Sequence, residues 1–287
     1  MKNIYMNLYD TLEIGDDFPT VIMGVLNLSP ESFYQGSVYT TTDSLEKATL
    51  EMIENGAKIL DLGARSTAPW SKKITIEEEI KRFKSAMEYV CEIIPKDIII
   101  SVDTQYSRVA EVAYDLSLEY KKKIVINDVS CLKTDPTLQD FIIKYELPII
   151  LMASKEVPGD LCTIREIIQE FDSTINQLKL YGYNENNIIL DPGIGKWIKE
   201  KIHTYDLKII NGLPNLRKLN RPILVAISRK SFIGTTLNIP NPENRLNGTL
   251  SSTAIAVYNG AHIIRTHDVD KQILEIVKMA EEIRRNQ

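Results

Sequence analysis

KILDLGARSTAPWSKKITIEEEIKRFKSAMEYVCEIIPKDIIISVD, residues 58–103, holds one full turn of the pattern that organises the chain. It opens on a short apolar run, 58–62, carrying Asp61 at its end. A polar segment with glycine and proline follows, and then residues 76–93 space their apolar side chains at the period of an amphipathic helix. A second apolar run, 98–102, closes on Asp103. Runs that are apolar throughout belong to strands buried on both faces, the arrangement of a parallel sheet with its helices outside.

The same alternation extends in both directions. Apolar runs at Val21–Leu26, Lys58–Leu62, Ile98–Val102, Lys123–Ile126, Pro148–Leu151, Ile188–Leu190, Ile223–Ile227 and His262–Ile264 read as strands. Segments such as Asp43–Asn55, Ile76–Ile93, Thr163–Tyr181, Asn244–Tyr258 and Lys271–Arg284 read as helices, the first opened by Thr42-Asp43 and closed by Asn55-Gly56. Eight such units predict a closed (β/α)8 TIM barrel, with an open doubly wound sheet as the alternative. At 287 residues, with no linker-like or low-complexity stretch, one domain over 1–287 is expected.

The composition is 44% hydrophobic and 25% charged, that of a soluble globular protein with material for a large core. A net charge of -5 argues against a nucleic-acid-wrapping protein and confines any basic patch to a local pocket. Cys91, Cys131 and Cys162 are widely spaced, without CxxC or paired histidines, and read as reduced packing residues. No window offers the roughly 20 apolar residues of a membrane span, and the acidic N-terminal stretch lacks a signal-peptide core. A cytoplasmic protein is expected.

In a barrel, chemistry gathers at the carboxyl ends of the strands. The runs end at Asn27, Asp61, Asp103, Asn127-Asp128 and Asp191, and the last two lead into Ser228-Arg229-Lys230 and Arg265, His267 and Asp268. Only the fifth ends softly, in Met152-Ala153-Ser154. Any one of these acids reads equally as a turn or cap residue. Together, polar groups converging on one face call for a polar ligand to satisfy them. Cations after the last two strands predict an anionic group there, and Asp103, Asp191 and Asn127 are suited to the N–H edge of a heterocycle.

Seven ordered stretches carry a family resemblance: MGVLNLSPESF (23–33), NGAKILDLGARST (55–67), SVDT (101–104), IVINDVS (124–130), IILDPGIG (188–195), ISRKSFIG (227–234) and NGAHIIRTHDV (259–269). Together, over roughly residues 20–270, they resemble the dihydropteroate synthase family of pterin-binding enzymes. The resemblance implies a TIM barrel that condenses 6-hydroxymethyl-7,8-dihydropterin diphosphate with p-aminobenzoate and expels diphosphate. It implies a pterin set of Asp103, Asn127, Met152, Asp191 and Lys230. Arg265 and His267 would be a diphosphate clamp, with Thr67 near the same phosphates and Asn27 as ligand of a Mg²⁺ ion. Lys230, Arg265 and His267 become the catalytic candidates, Phe33 and Pro69 walls of the amine site, and the segment 29–36 a lid. A homodimer is the family expectation.

Departures fall around the amine site. The family's Gly-Gly-Glu-Ser-Thr-Arg-Pro is here Gly63-Ala64-Arg65-Ser66-Thr67-Ala68-Pro69, so the usual arginine is absent at Ala68 and Arg65 is the candidate to compensate. The Phe-Gly-Lys after DPGIG is replaced by Lys196-Trp197-Ile198-Lys199, with Glu200-Lys201 beyond, and the Met-His pair of the fifth strand by Met152-Ala153. These changes admit a larger amine, such as the ribofuranosylaminobenzene phosphate of methanopterin synthesis, with Lys196, Lys199 and Lys201 meeting its phosphate. The alternative is a solvated basic loop with Trp197 packed on the rim. A pterin-dependent methyltransferase domain and a pterin binder without catalysis are the competing functions.

Overall fold

The computed structural model describes residues 3–29, 38–39, 41–67 and 71–286. Eight parallel strands form a nearly closed (β/α)8 barrel: β3 (Val21–Asn27), β4 (Ile59–Gly63), β5 (Ile99–Asp103), β6 (Lys123–Asp128), β7 (Ile149–Met152), β8 (Ile188–Asp191), β9 (Leu224–Ala226) and β10 (Ile263–Thr266). The seam between β8 and β9 is closed by one parallel bridge, Leu190 to Ile223, with the Leu190 N–H donating to Pro222 O at 2.9 Å. Around the barrel run α1 (Thr42–Glu54), α2 (Ile76–Ile93), α3 (Ser107–Glu119), α4 (Pro136–Lys144), α5 (Ile164–Leu180), α6 (His203–Gly212), α7 (Ser231–Leu237), α8 (Leu246–Tyr258) and α9 (Lys271–Arg285). No helix among the described residues is long and apolar enough to cross a membrane.

Although the strands read as continuously apolar, their two faces have separate duties. Side chains alternate across a strand, so residues two apart share a face. Ile22, Leu60, Ile100, Ile124, Leu151, Leu190, Val225 and Ile264 face outward into the helix layer. Val21, Met23, Ile59, Ile99, Val125, Ile150, Ile189, Leu224 and Ile263 face inward and fill the lower barrel. One step further along the same inward rows stand Asp61, Ser101 and Asp103, Asn127, Met152, Asp191 and Arg265, in registers that pair Asp103 with Asn127 and Met152 with Asp191. The apolar floor and the polar rim are consecutive layers of one barrel.

An N-terminal antiparallel hairpin, β1 (Tyr5–Leu8) and β2 (Leu12–Gly15), adds an element that the periodicity does not announce. Its Met6, Leu8 and Ile14 join the inward-facing core, so the hairpin closes the amino-terminal end of the barrel. It is pinned there by Asp16, which takes a two-pronged ion pair from Arg217 at 2.6 and 2.8 Å and faces His262 Nε2 at 3.3 Å. The Asp16 carboxyl is desolvated, yet these donors hold it well below the usual carboxylate range. Helix starts differ from the sequence reading by a residue or two. Thr41 rather than Thr42 caps α1, accepting from Ser44 N, while Asn55 and left-handed Gly56 end it as read. Thr163 is the cap of α5, with Glu166 completing a capping box.

Candidate active site

The carboxyl-terminal rim encloses a pocket of about 160 Å³. Asn27, Thr67, Asp103, Asn127, Met152, Asp191, Lys230, Arg265 and His267 all line it. Phe33, Pro69 and the lid segment beyond Ser29 lie outside the described residues, so the structure says nothing of them. Ser29, Arg65, Ser66, Lys196, Trp197 and Ser231 complete much of the lining. Trp197 and Lys196 stand in the stretch that departs from the family pattern, the one sequence signal that pointed toward them.

Beneath the pocket lies an ionic network centred on Arg265. Its Nε donates to Asp61 Oδ2 at 2.5 Å and its Nη2 to Asp103 Oδ2 at 3.0 Å. Fully buried Asp61 also accepts from Ser101 Oγ at 2.5 Å and Asn127 Nδ2 at 3.1 Å. Asp61 therefore orients Asn127 and Arg265 without lining the pocket itself. Asp103 is less fully matched, because its Oδ1 is buried with no hydrogen-bond partner among the described residues. Burial, reinforced by the Asp61 carboxylate and opposed by Arg265, pushes the Asp103 carboxyl up to about 8. An unpaired buried acceptor of this kind is a place prepared for a donor.

On the far side, the Asp191 Oδ1 accepts from Gly193 N at 2.8 Å, and Lys230 Nζ donates to Ile194 O at 2.5 Å. Burial raises the Asp191 carboxyl and lowers the Lys230 ammonium to about 8, each opposed by the charge of the other. Lys230 Nζ also stands 5.8 Å from the centre of the Trp197 ring. His267 faces Ser228, Nδ1 to Oγ at 2.9 Å. Burial, with Arg265, Lys230 and Arg229 nearby, depresses the imidazole to about 3. Around Asp103 and Asp191, then, the cations are Arg265 and Lys230, and His267 is a neutral hydrogen-bonding group.

Several strand-end residues prove to be scaffold. Arg229, at φ 56°, turns from the pocket and forms a two-pronged pair with Asp268 at 2.8 Å on both arms, while donating to Glu243 O at 2.6 Å. Asp128 accepts from Ser130 and Leu132 amides as a loop cap. Arg65 lines the pocket, but its guanidinium is bound to Glu79, to Ile74 O at 2.7 Å and to Thr75 O at 3.2 Å, and lies over Tyr106. These bonds tie the guanidinium to the start of α2 while it borders the pocket. Lys201, expected as a phosphate contact, is 1% exposed, with Nζ donating to Gly193 O at 2.7 Å and Gly159 O at 3.2 Å. That expectation is overturned: its charge is sealed inside the loop, while Lys196 and Lys199 are exposed.

Among the described residues no group of three or more histidine, cysteine or carboxylate side chains is disposed to cage a metal. The oxygen chemistry suits a different kind of site. Asn27, at the end of β3 on the pocket wall, carries a hard amide oxygen of the kind such an ion takes, and both Asp61 oxygens accept from protein donors. A hard divalent cation fits here when a ligand brings most of its oxygens.

A family model described as pterin binding enzyme matches residues 23–267. The dihydropteroate synthase of Clostridium beijerinckii is 36% identical over 251 residues, which span 87% of this chain and 89% of that protein. The solved dihydropteroate synthase of Coxiella burnetii in complex with pteroic acid superposes with a TM-score of 0.84 at 32% identity, over 99% of this chain and 100% of that one. The Xanthomonas albilineans dihydropteroate synthase with 4-aminobenzoic acid gives a TM-score of 0.83 at 26% identity, over 98% of each chain.

Proposed function

The chain belongs to the dihydropteroate synthase family of pterin-binding enzymes, and from that premise we infer that it is a pterinylmethyl transferase. It condenses 6-hydroxymethyl-7,8-dihydropterin diphosphate with 4-aminobenzoate and releases diphosphate. The observation that carries this reading is the buried Asp103 Oδ1, without a hydrogen-bond partner among the described residues, in a pocket shared with Asp191, Asn127 and the Arg265 and Lys230 cations. Acceptors below and cations beside them fit a molecule with N–H donors at one end and an anion at the other.

Asp191, whose Oδ1 is taken by Gly193, and Asp103 through Oδ1 accept from the pterin N–H edge, and Met152 packs against the ring. Arg265 and neutral His267 bind the diphosphate oxygens, with Thr67 beside them. As the methylene C–O bond breaks, positive charge spreads into the electron-rich dihydropterin and negative charge gathers on the departing oxygens. Pre-placed donors and cations stabilise that separation without a strong base. Asn27 is the residue to hold Mg²⁺, which when bound supplies further neutralisation of the diphosphate. The arylamine nitrogen, guided past Lys230, attacks the methylene, and its proton leaves to solvent or to the departing diphosphate.

With Lys201 buried, the case for a phosphorylated amine loses one of its three cations, which favours plain 4-aminobenzoate. The exposed apolar side chains Leu237, Ile255, Tyr258, Met279 and Ile283 on neighbouring α7, α8 and α9 support a homodimer, and three free thiols support a cytoplasmic enzyme. Purified protein with the pterin diphosphate, Mg²⁺ and either 4-aminobenzoate or its ribosylated phosphate tests the reading through initial rates of diphosphate release. Amine-dependent release with 4-aminobenzoate is expected. Binding without release, or a strong preference for the ribosylated amine, would overturn it.

A further inference from the structure

The turn that follows β8 is held in an unusual way. Gly193 and Gly195 sit at φ 72° and 128°, a backbone that side-chain-bearing residues rarely adopt. Four buried peptide groups of the turn are held by charged side chains. Asp191 takes the Gly193 N–H at 2.8 Å and Asp206 takes the Gly195 N–H at 2.8 Å, while Lys230 donates to Ile194 O at 2.5 Å and Lys201 to Gly193 O at 2.7 Å. Asp191 and Lys230 line the pocket; Lys201 and Asp206, each 1% exposed, grip the turn from behind.

Lys201 also donates to Gly159 O, tying the turn to the loop after β7. Trp197 rests on the same glycine so closely that a Cβ there would lie 2.2 Å from its indole. Lys201 forms no ion pair within 4 Å among the described residues: its ammonium is hydrogen-bonded to two carbonyl oxygens, and the nearby Asp206 charge only partly offsets its burial. Taking such a charge out of water is costly, so a side chain that served packing alone would gain nothing from carrying it.

We propose that Lys201 is a positioning residue for the transfer: by fixing the Gly193–Gly195 turn it sets where Asp191 and Lys230 meet the pterin substrate. The proposal rests on the transferase reading above. Lys201 acts on Lys230 through the turn, because the carbonyl that receives Lys230 belongs to the peptide unit next to the one Lys201 holds. It also acts through space. Burial lowers the Lys230 ammonium, Arg265 and Lys201 reinforce that effect, and Asp191 and Asp206 oppose it, with His267 facing the same cluster. Removing the Lys201 charge therefore makes Lys230 easier to protonate.

Lys201→Met keeps the volume and removes the donor and the charge. The expected result is a fall of about 10- to 100-fold in kcat/KM for the pterin diphosphate at 25 °C, as for a lost buried hydrogen bond, larger than any fall in thermal midpoint accounts for. The alkaline limb of the kcat/KM profile should move to higher pH. Lys201→Gln, which still donates to a carbonyl, should recover rate but keep the displaced limb, and it serves as the test should the methionine variant not fold. Wild-type turnover with 4-aminobenzoate is the separate check on the transferase reading. Given that turnover, wild-type kinetics in both variants, or a rate loss that follows the thermal midpoint with the limb unmoved, would overturn the proposal.

Discussion

Arg265→Met removes the cation that bridges Asp61 and Asp103 while nearly preserving volume. Asp61 is fully buried and would lose its 2.5 Å partner, keeping only the neutral donors Ser101 and Asn127. Breaking a buried ion pair in this one-sided way costs about 3–5 kcal/mol. Unfolding entropy of roughly 2.1 cal/mol/K per residue over 287 residues makes each kcal/mol worth about 1.7 °C, so the thermal midpoint should fall by about 5–8 °C. The sign of the pH dependence follows from Asp103. Its carboxyl is raised from an ordinary 3.8 to about 8 in the folded protein, so stability is lost as pH climbs through that window. Without Arg265 the carboxyl rises further, and the variant's deficit should be larger at pH 8.5 than at pH 5. Thermal unfolding followed by circular dichroism at both pH values measures this, with the Asp61→Asn/Arg265→Met pair as control, since a neutral amide needs no counter-ion. A single variant melting within about 1 °C of wild type, or a double variant no more stable than the single, would refute the reasoning.

Asp191→Ala should weaken pterin binding in calorimetry by about 1–3 kcal/mol, the cost of leaving a buried N–H donor unmatched, while diphosphate affinity stays unchanged. His267 is depressed to about 3 in the folded chain against an ordinary 6.5, so the unfolded state takes up its proton first and stability falls as pH drops from 6.5 toward 3, by at most about 1.4 kcal/mol per pH unit. His262, also lowered by burial, has the same sign, so His267→Asn should shallow but not abolish the loss of urea midpoint between pH 6.5 and 5. Leu8→Ala, in the hairpin plug, should cost about 2–5 kcal/mol of stability and leave kcat/KM at 25 °C unchanged, because it lies at the opposite end of the barrel from the pocket.

The barrel was legible because both faces of each strand are apolar, one toward the helices and one toward the barrel axis, so the runs stand out from the polar loops. The hairpin was not: Met6, Leu8 and Ile14 alternate over very short strands, and the turn between them is Tyr9-Asp10-Thr11, its first two residues at positive φ, where glycine or asparagine would have announced it. Pocket residues at strand ends could be found from position alone. Their partners could not, because pairing distance has no sequence signature. Glu79 comes from the first turn of α2 to hold Arg65 and accept from Thr104 at 2.7 Å, and Asp268 neutralises an arginine that reads as a ligand contact. Lys201 sits in a run of lysines whose exposed members look the same on paper, and only the fold separates the buried one.

The filled lower barrel, with the hairpin beneath it, also governs traffic. A barrel sealed at one end is a cup with a single mouth, and the Asp103–Asp191 floor is its bottom. Whatever rests on that floor must enter before, and depart after, whatever lies nearer the rim. On the proposed assignment the two substrates would therefore queue rather than mix, the pterin loading first and an occupant of the outer seat locking it in.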